Sequence, residues 1–346
     1  MERSKMFTLI KTIDQPKTIK EMLPLTEEQK AIKNMRDSEV ANIITGESDK
    51  LLVLIGPCSA DNETAVLDYI GRLAKVAEKI KDKVFIVPRI YTNKPRTRGE
   101  GYKGMLHQPD PNKETDIQSG LIALRRLHLR ALQEFGMSCA DDMLYPENHY
   151  YVDDLISYVA VGARSVENQQ HRLVASGIGM PTGMKNPMNG SMHVLLNSIH
   201  AAQIPNEFKF NFWQVKTDGN PLAHAILRGA VDTNGINVPN YHYEDVVKFT
   251  ALYEASGLKN PTIIIDTNHS NSGKNPFEQI RIVKEVLANK KSSSLFGKYV
   301  KGFMIESYIQ DGKQDVNGKE YGKSITDACL GWDKTEKLLF YIAENA

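Results

Sequence analysis

Cysteine is scarce in this 346-residue chain: Cys58, Cys139 and Cys329 lie far apart, with no Cys-x-x-Cys spacing. That argues against a disulfide framework and for a reducing, cytoplasmic compartment. No apolar run approaches the roughly 18 residues of a membrane span, and Met1 to Lys11 lacks the apolar core of a secretion signal, so neither a transmembrane helix nor a signal peptide is expected. An excess of one charge is missing too. Lys and Arg total 43 against 42 Asp and Glu, a net charge of +1, with no basic stripe for nucleic acid or an anionic membrane. Any polyanion must be met by cations gathered locally. The first apolar segment is not followed by a Gly-x-Gly-x-x-Gly turn, which removes the main signal for an open dinucleotide-binding sheet.

What is present starts at Leu51-Leu-Val-Leu-Ile55, unbroken aliphatics that suit a strand buried on both faces, stopped by Gly56-Pro57 and followed by Cys58-Ser59. Strand-like segments then alternate with helical ones. The strands are Val84–Val87, Met137–Met143, Tyr158–Ala163, Pro181–Met184, Ala223–Leu227, Thr262–Ile265 and Tyr299–Ile305. The helices include Glu63–Lys81, Thr115–Phe135, one around Val152, Val166–Ser176, Ser191–Ala202, Tyr243–Ser256, Phe277–Asn289 and a last helix from about Ile325 to Glu344. Eight strand-then-helix units imply parallel pairing and a closed (β/α)8 TIM barrel, with an N-terminal extension and an apolar hairpin, Phe208 to Val215, inserted before strand six. Residues 1–46 do not fit the repeat. They read as a separate arm, with a short strand at Phe7–Ile10 and a helix capped by Thr26, leaving 47–346 as the barrel.

Strand ends carry the chemistry in such a barrel, and here they sort into two sets. Arg89, Arg164, Lys185 and Arg228 close strands two, four, five and six, while the loop after strand two adds Lys94, Arg96 and Lys103. Any one of these is as readily a surface ion pair, but together they suit more than one phosphate, or a phosphate plus a carboxylate. The second set is Cys58, His269 and Glu306, with Asp327 just after strand eight. Strand eight neighbours strand one in a closed barrel, so a thiolate, an imidazole and two carboxylates meet as a site for Mn, Fe, Co or Zn rather than Mg or Ca. The plainer readings are a small core cysteine, a satisfied histidine and, for Asp327, the N-cap of the last helix.

Gly56-Pro57-Cys58-Ser59, Lys94-Pro95-Arg96-Thr97, Gly162-Ala163-Arg164, Gln169-x-His171-Arg172, Ile226-Leu227-Arg228-Gly229, Pro239-Asn240-Tyr241, His269-Ser270-Asn271-Ser272 and Tyr321-Gly-Lys-Ser-Ile-Thr-Asp327-Ala-Cys329 run in order through nearly the whole chain. In these motifs the chain resembles type I 3-deoxy-D-arabino-heptulosonate 7-phosphate (DAHP) synthases. The resemblance implies a transferase that condenses phosphoenolpyruvate with erythrose 4-phosphate at the entry to the shikimate pathway of aromatic amino acid biosynthesis. By the same resemblance Cys58, His269, Glu306 and Asp327 hold one divalent metal, Mn foremost; Arg89, Arg164, Lys185 and Arg228, with Lys103 and Asp142 nearby, hold phosphoenolpyruvate; and Lys94, Arg96 and Thr97 face the sugar phosphate. It further implies a homodimer or homotetramer and feedback by an aromatic amino acid through the N-terminal arm.

Three departures from the family pattern stand out: a loop one residue longer between Lys94 and Lys103, Asp142 where Glu is usual, and Pro187-Met188-Asn189-Gly190 in place of Gly-Thr-Asp-Gly. None of the four proposed ligands departs. The nearest rival, 3-deoxy-D-manno-octulosonate 8-phosphate synthase, is expected to lack Lys-Pro-Arg-Thr. A phosphometabolite-binding barrel without chemistry should carry a damaged metal set.

Overall fold

The computed structural model describes residues 7–96 and 99–346. Helix α1 (Pro16–Met22) precedes α2 (Glu27–Thr45), which starts in a capping box: the Thr26 hydroxyl accepts from Gln29 N, and the Gln29 side chain accepts from Thr26 N. Then come β1 (Leu51–Gly56), α3 (Glu63–Ile80), β2 (Val84–Pro88), α4 (Ile117–Phe135), β3 (Cys139–Asp142), β4 (Ile156–Val161), α5 (Gln169–Ala175), β5 (Thr182–Lys185) and α6 (Met192–Gln203). An antiparallel hairpin, β6 (Asn206–Phe210) and β7 (Trp213–Thr217), leads to β8 (Ala223–Leu227). A small two-stranded piece, β9 (Ala230–Val231) and β10 (Asn237–Val238), is followed by α7 (Tyr243–Ala255), β11 (Ile263–Asp266), α8 (Glu278–Ser292), α9 (Ser294–Tyr299), β12 (Val300–Glu306) and α10 (Trp332–Asn345).

Eight parallel strands pair in the order β2-β1-β12-β11-β8-β5-β4-β3. The free edges of β2 and β3 meet through a parallel bridge between Arg89 and Ala140, where Ile90 N donates to Ala140 O at 2.9 Å. The sheet is therefore a (β/α)8 barrel. Alternate residues along β1 explain its unbroken apolar run: Leu52 and Leu54 fill the barrel, whereas Leu51, Val53 and Ile55 pack outward against the helices. Helix α2 closes the bottom of the barrel, its Val40, Ile43 and Ile44 packed with Leu52, Leu54, Tyr158, Ile264 and Met304. Buried Arg36 ties it there by donating to Ile86 O at 2.6 Å and Ser138 Oγ at 3.0 Å. Among the described residues no helix is long and apolar enough to cross a membrane.

Four local expectations change. Phe7–Ile10 is not a strand: among the described residues no strand pairs with it, and Phe7, Leu9 and Ile10 are 89%, 97% and 91% exposed. The helix expected around Val152 is instead a short 3-10 helix over Pro146–Tyr151, opened by the proline and ended before Val152. Helix α5 starts at Gln169 rather than Val166, because the Asn168 side chain accepts from Gln170 N and His171 N and fixes the cap there. The last helix starts at Trp332 rather than Ile325. Residues before it spend their backbone groups across the loop, Gln314 N on Ser324 O, Cys329 N on Gly312 O and Leu330 N on Glu306 O, so Asp327 is no N-cap.

Candidate active site

The register of β1 on β12 sets Gly56 beside Glu306, which delivers Cys58 next to that carboxylate two residues later. Only glycine fits at position 56, since a Cβ there would lie 2.1 Å from Arg89 O. Cys58 Sγ, one Glu306 oxygen and one Asp327 oxygen lie within 4.8 Å of one another. His269 joins them from the end of β11, its Nε2 3.8 Å from Glu306 Oε1. Its backbone is left-handed (φ 49°), an unfavourable conformation for histidine that turns the ring back so that Nδ1 sits 2.9 Å from Asp266 Oδ2. One sulfur and two carboxylates form one group and the half-buried imidazole of His269 flanks it on the Glu306 side, a donor set that fits a borderline divalent ion.

Cations interleave with these donors. Lys94 Nζ lies 2.5 Å from Cys58 Sγ and 3.7 Å from Asp327 Oδ2. Arg89, 1% exposed, donates to Glu306 Oε1 at 2.8 Å and to Pro57 O at 2.5 Å, and its guanidinium stacks 3.7 Å from the centre of the Tyr91 ring. Lys185 Nζ is 3.1 Å from Asp266 Oδ2. Burial pushes the Cys58 thiol up, with Glu306 adding to it and Lys94 opposing. Burial alone would raise Glu306 and Asp327, but Arg89 for the first and Lys94 with Lys274 for the second hold both carboxyls below their ordinary values.

Above this floor a cavity of about 670 Å³ is lined by Arg89, Lys94, Arg96, Arg164, Lys185 and Arg228, together with Asp142, His269 and Asp327. Burial lowers the pKa of Arg228, and neighbouring Arg164 adds to the effect. Like charges facing one space, with Arg89, Lys185 and Arg228 buried and Arg96 and Arg164 exposed, suit an anion between them. Burial pushes Asp142 up to about 6 against the pull of Lys185, so near pH 7 it is still largely ionised and offsets part of the cationic charge around it.

Of the described residues expected from sequence, Cys58, Glu306 and Lys103 do not line this cavity; Cys58 and Glu306 are buried beside it, whereas the Lys103 side chain is exposed and its carbonyl accepts from Lys94 N at 3.0 Å. Thr97 lies outside the described residues. Tyr91, Asp266, Asn268 and Lys274 went unread as site residues. Asn268 Nδ2 donates to Glu306 Oε2 at 2.5 Å, and Lys274 Nζ is 3.7 Å from Asp327 Oδ1. Asp266 had a signal, being the charged residue that ends β11; for Tyr91 the only hint was its spacing from Arg89.

Residues 22–340 match the model of the DAHP synthetase I family. The chain belongs to that family. Phospho-2-dehydro-3-deoxyheptonate aldolase of Haemophilus influenzae is 38% identical over 97% of this chain and 93% of its own length. The Tyr-sensitive and Phe-sensitive enzymes of that name from Escherichia coli are each 36% identical, covering 95% and 94% of this chain and 92% and 95% of their own. A solved structure of the phospho-2-dehydro-3-deoxyheptonate aldolase from Francisella tularensis superposes with a TM-score of 0.91 at 32% identity, over 98% of both chains. That relative thus shares the barrel built above.

Proposed function

We infer that the protein condenses phosphoenolpyruvate with D-erythrose 4-phosphate and water, giving 3-deoxy-D-arabino-heptulosonate 7-phosphate and phosphate, the entry step of the shikimate pathway. The observation that carries this is the juxtaposition, in a member of this family, of a cation-lined mouth with a sulfur, nitrogen and oxygen donor cluster at its floor. In the reaction C3 of the enol forms a bond to the aldehyde carbon, water adds at C2, and phosphate leaves as the C2–O bond to it breaks.

Arg164, Lys185 and Arg228 suit the phosphate and carboxylate of phosphoenolpyruvate, and Arg89 adds charge at the inner end. Lys94, Arg96 and Thr97 are assigned to the sugar phosphate and aldehyde. Cys58 raises the Lys94 pKa despite its burial, so the ammonium stays charged beside the donors and can hold a proton where the aldehyde oxygen becomes a hydroxyl. A divalent ion held by Cys58, His269, Glu306 and Asp327 would supply Lewis acidity at that oxygen, with Mn the first choice and Fe, Co or Zn the others. Holding two anions side by side is the costly part, and positioning of this kind is worth roughly 7–11 kcal/mol in favourable cases.

We assign residues 1–46 to assembly as a homodimer or homotetramer and to an aromatic amino acid response, since relatives are named Tyr-, Trp- and Phe-sensitive and the arm exposes Phe7, Leu9 and Ile10. Residues 47–346 are the catalytic barrel. Three free cysteines agree with a cytoplasmic setting.

The test is phosphate release from phosphoenolpyruvate with erythrose 4-phosphate or arabinose 5-phosphate, after chelation and with metals restored singly. Turnover with the four-carbon sugar that is lost on chelation and regained with Mn is the expected result. Preference for the five-carbon sugar assigns the chain to octulosonate synthesis instead.

A further inference from the structure

A second cavity, of about 490 Å³, shares no lining residue with the first. It lies behind the loops that carry Cys58 and Asp327. The wall between the two is tied by Ser59 Oγ and Thr326 Oγ1 at 3.0 Å and by Tyr102 Oη donating to Ala60 O at 3.1 Å. Two buried polar atoms on its lining have no hydrogen-bond partner among the described residues: Asp61 Oδ1 and Tyr308 Oη, on residues 8% and 1% exposed. A buried carboxylate with one oxygen left without a donor is a poor arrangement. Burial pushes the Asp61 carboxyl up to about 7, against the smaller opposing pull of its own backbone N–H and of the neighbouring Tyr308 hydroxyl.

Of the other charges at this cavity, Lys319 is exposed to solvent, Asp110 faces Lys113 at 3.4 Å, and the rest are closely paired. Lys323 Nζ is 2.9 Å from both Glu320 oxygens, and Glu63 holds Arg126 at 3.0 Å and Arg130 at 2.8 Å. The acceptor left inside is Asp61. Pro109, Pro111 and Tyr321 supply apolar and aromatic surface on the same lining. A cavity of a few hundred Å³ with one acidic acceptor and aromatic walls suits a cation attached to a carbon body.

We propose that this cavity binds a small organic ammonium compound, its charged head donating to Asp61 Oδ1 and Tyr308 Oη and its carbon body resting against Pro109, Pro111 and Tyr321. Asp61 is three residues from Cys58, and the opposite wall, Gly322 to Ile325, runs into Asp327. Occupancy therefore stiffens both loops that reach the donor cluster and links this site to the first.

The probes are n-butylammonium and phenethylammonium, with butanol and phenylethanol as uncharged controls, added to the full chain at pH 8 and followed by calorimetric titration and thermal unfolding. Saturable binding and a rise in Tm are expected for the amines and not for the alcohols. Asp61→Asn should abolish both effects and Tyr308→Phe should weaken them. Binding by Asp61→Asn at wild-type strength, equal binding of the alcohols, or no saturation at tens of millimolar amine would each overturn the proposal. None of these readouts depends on the reaction assigned to the first cavity.

Discussion

Thr92 and Asp141 are joined twice across the seam where the barrel closes: Thr92 N donates to Asp141 Oδ1 at 2.9 Å and the Thr92 hydroxyl donates to Oδ2 at 2.5 Å. His128 Nε2 lies 3.3 Å from the same Oδ2, and all three residues are buried. Thr92 begins the segment that carries Lys94 and Arg96, so a carboxylate at the end of β3 anchors the loop that reaches the donor cluster.

Replacing Asp141 with Ala strands the Thr92 donors in a dry seam. We expect a loss of about 2–4 kcal/mol in urea unfolding, with a larger rise in KM for the sugar phosphate than for phosphoenolpyruvate. Equal changes in both constants would mean that the clamp supports only the fold.

Arg89 and Glu306 form a buried ion pair at 2.8 Å, each 1% exposed. Removing one partner leaves an uncompensated charge, so Glu306→Leu should cost about 3–5 kcal/mol of stability. The double variant Arg89→Met/Glu306→Leu should recover most of that in a denaturant series. It should remain inactive, because both residues are then missing from the site.

Cys58 is small and fully buried, so Cys58→Ala should fold. Turnover should fall by at least about 100-fold, beyond the range seen when outer partners of a metal site are lost. Elemental analysis after dialysis against Mn should show less than stoichiometric metal. Undiminished turnover would remove Cys58 from the reaction.

The Asp61 carboxyl, raised to about 7, binds its proton more tightly in the folded chain than in the unfolded one. Between its unfolded value near 4 and pH 7 the native state therefore holds the extra proton, and stability falls as pH rises through that window. Tyr308 and Tyr102 are the titratable neighbours, and burial keeps both neutral there. Asp61→Asn should be more stable than wild type at pH 8, by on the order of 2–4 kcal/mol, and no more stable at pH 4. Thermal melts at the two pH values measure the difference.

Much of this was legible in the chain itself. The alternation of apolar strands with amphipathic helices is a local signal, and each of the eight barrel strands lies where that signal put it. The polar residue at each strand end was equally local, which is why Cys58, Arg89, Arg164, Lys185, Arg228 and Glu306 could be singled out. The helix starts at Val166 and Ile325 were misjudged because propensity does not register a side-chain cap at Asn168 or the cross-loop bonds of Gln314, Cys329 and Leu330. Phe7–Ile10 has strand composition but no strand to pair with among the described residues.

By itself, then, the sequence determined the repeat, the class of fold and the kinds of side chain offered at the barrel rim, because these follow from periodicity and residue chemistry along a short stretch. Only the tertiary structure decided which of them meet. The stagger that sets Gly56 beside Glu306, the stacking of Tyr91 on Arg89, the turn of His269 toward Asp266 and the missing partner of Asp61 depend on distances between segments remote in sequence, and no local pattern encodes those.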